Sequence, residues 1–184
     1  MVSWFKSKFG AWRKDERGTV TVEFVILFPV FVTILLSGIE IGVLMSRQTM
    51  LERGVDLAVR ELRLGIIDGG SDDKLTEDDV RKAICNHSGI LKDCFNSMHM
   101  DLMVISTNTF NLPKSSATCL DKSDGAIKPN VDFDAGIQND LMIIRACFVV
   151  DPFFPTSALG AQLPRDAAGN YQLVSMSAFV NEPS

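Results

Sequence analysis

The sequence is poor in the side chains that carry out catalysis. It has two histidines in 184 residues. It has no phosphate-binding G-x-x-x-x-G-K loop, no G-x-S-x-G elbow, no H-E-x-x-H pair and no dinucleotide fingerprint. Serine, histidine and aspartate occur, but in no recognisable catalytic set. These gaps argue against an enzyme. An excess of positive charge is missing as well: 18 basic side chains stand against 23 acidic ones, a net charge of −5. Phosphate would be repelled by most of such a surface, so nucleic acid is not expected as a partner. Internal repeats and low-complexity tracts are absent. With 46% hydrophobic and 22% charged residues, the chain is neither disordered nor fibrous.

Charge is also missing locally. Residues 20–45 contain only two charged side chains, Glu23 and Glu40. As a helix rising 1.5 Å per residue this run spans about 39 Å, enough to cross a ~30 Å hydrocarbon core. It is longer than the apolar region of a cleaved secretory signal, and Ser37-Gly38-Ile39 makes a poor signal cleavage site. Just before it, residues 1–18 carry five basic and two acidic side chains, +3 in all, which leaves −8 on the remainder. Basic flanks stay in the cytoplasm, so residues 1–18 are expected inside and the body after Met45 outside the cytoplasmic membrane. Glu40 lies 17 residues beyond Glu23, about 25 Å along a helix. The two carboxylates therefore mark opposite boundaries, with Glu40 either at the outer interface or on a partner protein. Pro29 removes one N–H within the run and predicts a kink or a local loosening.

The junction Arg17-Gly18-Thr19-Val20-Thr21-Val22-Glu23-Phe24 is the most specific feature. It resembles a type IV prepilin processing site, with cleavage after Gly18 and a glutamate at the fifth mature position. Such a cut removes the basic leader and leaves the apolar helix attached. The new amine on Thr19 could then pair with Glu23 of a neighbouring subunit, which gives a carboxylate in lipid the partner it needs. Together with the apolar run, Gly38-Ile39-Glu40-Ile41-Gly42 and the closing Val180-Asn181-Glu182-Pro183, the junction resembles the TadE/TadF-like minor pilins (pseudopilins) of the Tad, or Flp-type, pilus system. That resemblance implies a minor pilin processed by a dedicated prepilin peptidase and needed for pilus assembly, priming or tip formation. It implies as partners the bacterial inner membrane, other Tad pilins and pseudopilins including a related minor pilin, and the Tad assembly platform. The protein would be single-pass, with a periplasmic head, and could enter a surface pilus. The alternative is an uncleaved single-pass protein acting as a periplasmic scaffold.

Beyond the membrane, Leu51, Val55, Ala58 and Leu62 recur at helical spacing and predict one continuous helix to Gly65, a C-terminal stop. Gly54 weakens this helix without needing to break it. Thr76 with Asp79 predicts a capping box and a helix to about Asn86. Strands are expected at 99–106, 141–150 and 171–180, and a short helical turn around 156–161. The division is a leader at 1–18, a long helix at 19–65 and a head at 66–184. The fold class is α+β: a pilin-like long N-terminal transmembrane helix under a small head with an antiparallel sheet of about three strands, one face covered.

All four cysteines, Cys85, Cys94, Cys119 and Cys147, follow the apolar run. An even count in an oxidising compartment predicts two disulfides. Three pairings are possible; Cys85–Cys94 and Cys119–Cys147 are the expected ones. A metal site from Cys85, His87, Cys94 and His99 fits no zinc spacing, and residues 68–74 lack the order of a calcium loop. No metal and no cofactor are expected, and both histidines are expected at the surface.

Overall fold

The structure is a computed structural model that describes residues 19–67, 74–110, 119–120, 133–155, 162–163 and 165–182. Gly18, the turn expected at 156–161 and Pro183 lie outside the described residues.

A single helix, α1 (Thr19–Arg63), makes up the first 45 described residues. It is long and apolar enough to cross a membrane. Its two halves have different surroundings. Residues 20–36 are apolar apart from Glu23 and two threonines, and they stay exposed or half-exposed, with no other described segment packed there. From Ser37 onward one stripe turns inward: Ser37, Glu40, Leu51, Val55 and Ala58 are buried, and Leu44 and Leu62 pack against the same core. The spacing of three and four residues is that of a single helix face. α1 continues through Pro29, and the Thr33 hydroxyl donates to the Pro29 carbonyl at 2.7 Å.

The end of α1 follows from Gly65. At φ +61° it occupies the left-handed region that glycine enters without a Cβ penalty. Its N–H bonds the Leu62 carbonyl at 3.1 Å, and the Ile66 N–H bonds that of Glu61 at 3.0 Å. Together these make a Schellman motif.

Helix α2 (Glu77–Ser88) starts where the Thr76 N–H meets the Asp79 carboxylate at 3.2 Å, and the Thr76 hydroxyl bonds the same carboxylate. The hydroxyl bond is the larger cause holding the Asp79 carboxyl below its ordinary range; the backbone bond and Lys82 add to it. α2 crosses α1 at Gly54. A Cβ added there would lie 2.7 Å from the Ile84 carbonyl oxygen and 2.1 Å from Ser88 Oγ. Gly54 therefore costs helix propensity but permits close packing of the two helices.

A one-turn helix, α3 (Cys94–Ser97), leads into β1 (Met98–Ile105), followed by β2 (Leu141–Val150) and β3 (Tyr171–Val180). The sheet is antiparallel in the order β1-β2-β3. Register puts Met98, Met100 and Leu102 opposite Phe148, Ala146 and Ile144, and Phe148 opposite Leu173. This face packs on α1 and α2 to form the core. The fold is thus α+β, a long apolar helix carrying a three-stranded antiparallel head.

Two details of the sheet concern which faces are covered. In β3, Val174, Met176, Ala178 and Val180 do share a face, but it is the exposed one; Tyr171, Leu173, Ser175 and Phe179 turn inward. The outer face is not open throughout either. Residues 142–150 are all buried, so β2 is covered on both sides, while Val174, Met176, Ala178 and Val180 of β3 stay exposed.

Candidate functional site

The sequence singles out two carboxylates on α1, and their settings differ. Glu23 and Phe24 are exposed on the all-round apolar part of the helix, where the Phe24 ring stacks on Phe28 with centroids 5.1 Å apart. Thr19 is the first residue of α1. Glu40 is only 2% exposed. Its two carboxylate oxygens accept the N–H groups of Phe153 at 3.0 Å and Phe154 at 2.6 Å. Within this chain Glu40 therefore grips the head's own loop. Bonds from N–H groups to a carboxylate are charge-assisted, roughly twice as strong as neutral ones.

The gripped segment is Asp151-Pro152-Phe153-Phe154-Pro155. Pro152 has no N–H with which to continue the ladder of β2, which ends at Val150. Two further contacts fix its ends: Arg47 donates to the Asp151 carbonyl at 3.1 Å, and Arg165 to that of Pro155 at 3.0 Å. Phe153 and Phe154 meet edge to face with centroids 4.9 Å apart, and Phe153 remains 59% exposed. Sequence reasoning gave this loop no role. The signal was there: two phenylalanines between prolines, and a carboxylate near the end of an apolar run that had no partner in its own helix.

The other end of α1 is tied down by the C-terminal segment. Glu182, part of the N-E-P ending, forms an ion pair with Arg63, and the Asn181 N–H bonds the Asp140 carbonyl at 3.0 Å. Beside it a cleft of about 690 Å³ is lined by aliphatic residues such as Leu62, Leu75 and Ile137 with this ion pair at its rim. Its lining includes no histidine or cysteine.

Cys85 is bonded to Cys94 and Cys119 to Cys147, with Cα separations of 5.7 and 5.3 Å. The first bond joins α2 to α3. The second fastens the long segment between β1 and β2 to the outer face of the central strand. Cys85 and Cys94, two of the ligands weighed for a metal, are thus engaged with each other. Among the described residues no group of three or more potential ligands could hold a metal ion.

The histidines are not both surface groups. His87 is half-buried, with Nε2 2.8 Å from Glu61 of α1. His99 is 2% exposed on the outer face of β1. Alternation along β1 brings Asp101 to the same face, and register places Arg145 opposite it. Arg145 donates to the Asp101 carboxylate at 2.9 Å, and His99 Nε2 lies 3.3 Å from it without hydrogen-bond alignment. One arginine in the otherwise apolar run LMIIRACFVV was the signal for this cluster, because a buried guanidinium needs a carboxylate.

No solved structure and no curated protein matches the chain. A family model described as TadE-like protein does match, over residues 18–60, from the junction glycine to the part of α1 beneath the head. Residues 18–60 of the chain are thus similar to the TadE-like family.

Proposed function

We propose that the protein is a minor pilin of a Tad-type pilus, made as a precursor and cleaved after Gly18. The match to the TadE-like family over residues 18–60 carries this reading, because it begins at the residue before the scissile bond. A TadE-like segment suggests a Tad pilus-associated pilin, and one long apolar N-terminal helix fits a membrane-anchored pilin.

The physical logic joins the leader to the helix. With its five basic side chains the leader holds the N-terminus in the cytoplasm, so the head emerges on the periplasmic side of the inner membrane. Cleavage at the cytoplasmic face removes 18 of 184 residues and leaves 166, still anchored by residues 20–36. The free Thr19 amine then becomes available to Glu23 of a neighbouring pilin. That pair neutralises a carboxylate that is otherwise costly in lipid, and it fixes the axial register between packed helices. The exposed apolar half of α1 suits such packing, since none of the described residues covers it. The head would engage other pilins and pseudopilins during assembly, and the assembly platform would move the anchored subunit. The disulfides suit an oxidising compartment, where they brace a small head.

The test is Gly18→Ala, made in a strain that carries the matching peptidase. A side chain at that position should leave the full-length precursor in the membrane fraction, while the parent chain shortens. Normal shortening of the variant on a gel would refute the assignment of the cleavage site.

A further inference from the structure

We propose that the loop Asp151-Pro152-Phe153-Phe154-Pro155 is a second membrane contact, which seats the head on the outer lipid surface through Phe153. This rests on the membrane-anchor reading above and adds to it the head's own contact with lipid.

The argument starts from lengths. The part of α1 that is bare on all sides, residues 20–36, has 17 residues and spans about 25 Å. A hydrocarbon core is about 30 Å thick and needs about 20 helical residues. The lipid must therefore reach past residue 36, into the stretch where the head already covers one face of the helix. On the open side of that stretch the helix remains apolar: Ile39 and Met45 are 42% and 63% exposed. The next residues are Ser46, Arg47 and Gln48. The hydrocarbon boundary thus falls between Glu40 and Met45, which are about 7.5 Å apart along the axis.

The loop is at that level because Glu40 holds it there. Phe153 and Phe154 donate their N–H groups to the Glu40 carboxylate at 3.0 and 2.6 Å. Unpaired peptide N–H groups are costly in hydrocarbon, and the carboxylate satisfies both of these. One turn nearer the N-terminus Ser37 is also buried, so the head's cover extends below Glu40. Phe153 is 59% exposed at this depth, and an aromatic ring is well suited to an interfacial position. Arg47, which holds the Asp151 carbonyl, sits two turns above Glu40 and is placed among the headgroups. The head would then be tilted and fixed by two contacts, a helix and a loop, before any pilin neighbour is present.

The test uses single tryptophans in the full chain, with Trp4→Phe and Trp12→Phe as background. The chain is reconstituted at low protein-to-lipid ratio into phosphatidylcholine vesicles brominated either near the carbonyl end or near the middle of the acyl chains. Three reporters are compared: Phe153→Trp, Ile137→Trp at the far end of the head, where residue 137 is 75% exposed, and Phe31→Trp in the bare helix. Phe153→Trp should be quenched at least about twofold more than Ile137→Trp, and more by the shallow bromines than by the deep ones, while Phe31→Trp is quenched most by the deep ones. If Phe31→Trp is quenched and Phe153→Trp behaves like Ile137→Trp, the loop contact is wrong and the anchor stands. If Phe31→Trp escapes quenching, the anchor fails and takes the loop contact with it. Blue-shifted but unquenched emission from Phe153→Trp would place polypeptide rather than lipid on the ring, and would likewise overturn the proposal.

Discussion

Replacing Gly54 by alanine should destabilise the head, although it raises the helix propensity of α1. The local gain is about 1 kcal/mol. Against it stands the crossing with α2. An added Cβ would lie 2.7 Å from the Ile84 carbonyl oxygen, a backbone atom that cannot rotate away. Ordinary contact begins near 3.4 Å, so the helices must part by about 0.7 Å at this point. The Cβ also falls 2.1 Å from Ser88 Oγ, whose hydroxyl would have to leave the Ile84 carbonyl it now bonds at 2.7 Å. Parting the helices loosens Val55, Val80 and Ile84, which are fully buried around the crossing. Overpacking of this kind costs about 1–3 kcal/mol, and displacing the hydroxyl adds about 1. The net loss is about 1–3 kcal/mol, or about 3–9 °C in the melting temperature of a domain this size. Thermal unfolding in mild detergent, followed by circular dichroism with both disulfides intact, measures it. Gly38→Ala and Gly42→Ala are the controls, because a Cβ at either position meets nothing within 4 Å. Adding Ser88→Ala to Gly54→Ala should recover part of the loss. A Gly54→Ala chain at least as stable as the Gly42→Ala chain would refute the close-crossing argument.

Other perturbations follow from the same structure. Glu23→Ala should leave the leader cut in place yet sharply reduce assembled pili in the sheared surface fraction; unchanged yield would remove the pairing role. Asp101→Ala takes the carboxylate away from Arg145, which is 7% exposed, and should cost about 3–5 kcal/mol in denaturant unfolding. The double replacement Asp101→Leu with Arg145→Met should recover most of that loss, and failure to recover it would point to a role beyond charge pairing. The Asp79 carboxyl is held low in the folded chain, so its contribution is complete above about pH 4 and fades as the pH falls through its lowered value. Asp79→Asn should flatten that part of the acid-unfolding curve, and an unchanged acid limb would show that the cap contributes nothing there.

Much of the architecture could be read from spacing. The Leu51, Val55, Ala58 stripe, the Gly65 stop, the Thr76–Asp79 box and the three strands are local patterns, and local rules were enough to place them. What escaped depended on register and on approach between distant segments. Nothing local reveals that β3 turns Tyr171 and Leu173 inward rather than Val174 and Met176, since both sets are apolar enough. Likewise, His99 looks like a surface group until the pairing of β1 with β2 sets Asp101 against Arg145 and the outer face is covered. Glu40 could be placed near a membrane boundary by counting residues, but its partners lie 113 and 114 residues away in a loop with no regular pattern. Gly54 read as a weakness of α1 because the helix that crosses it starts only at Glu77.

The central claim is a cut on the cytoplasmic side of an apolar helix that stays with the protein. N-terminal sequencing of the chain from membrane and sheared-surface fractions of its native host tests it most directly. The account predicts Thr19 as the first residue of a chain that still contains residues 20–36. A chain that begins at Met1 or Val2, or a free soluble head that begins after residue 45, would contradict it.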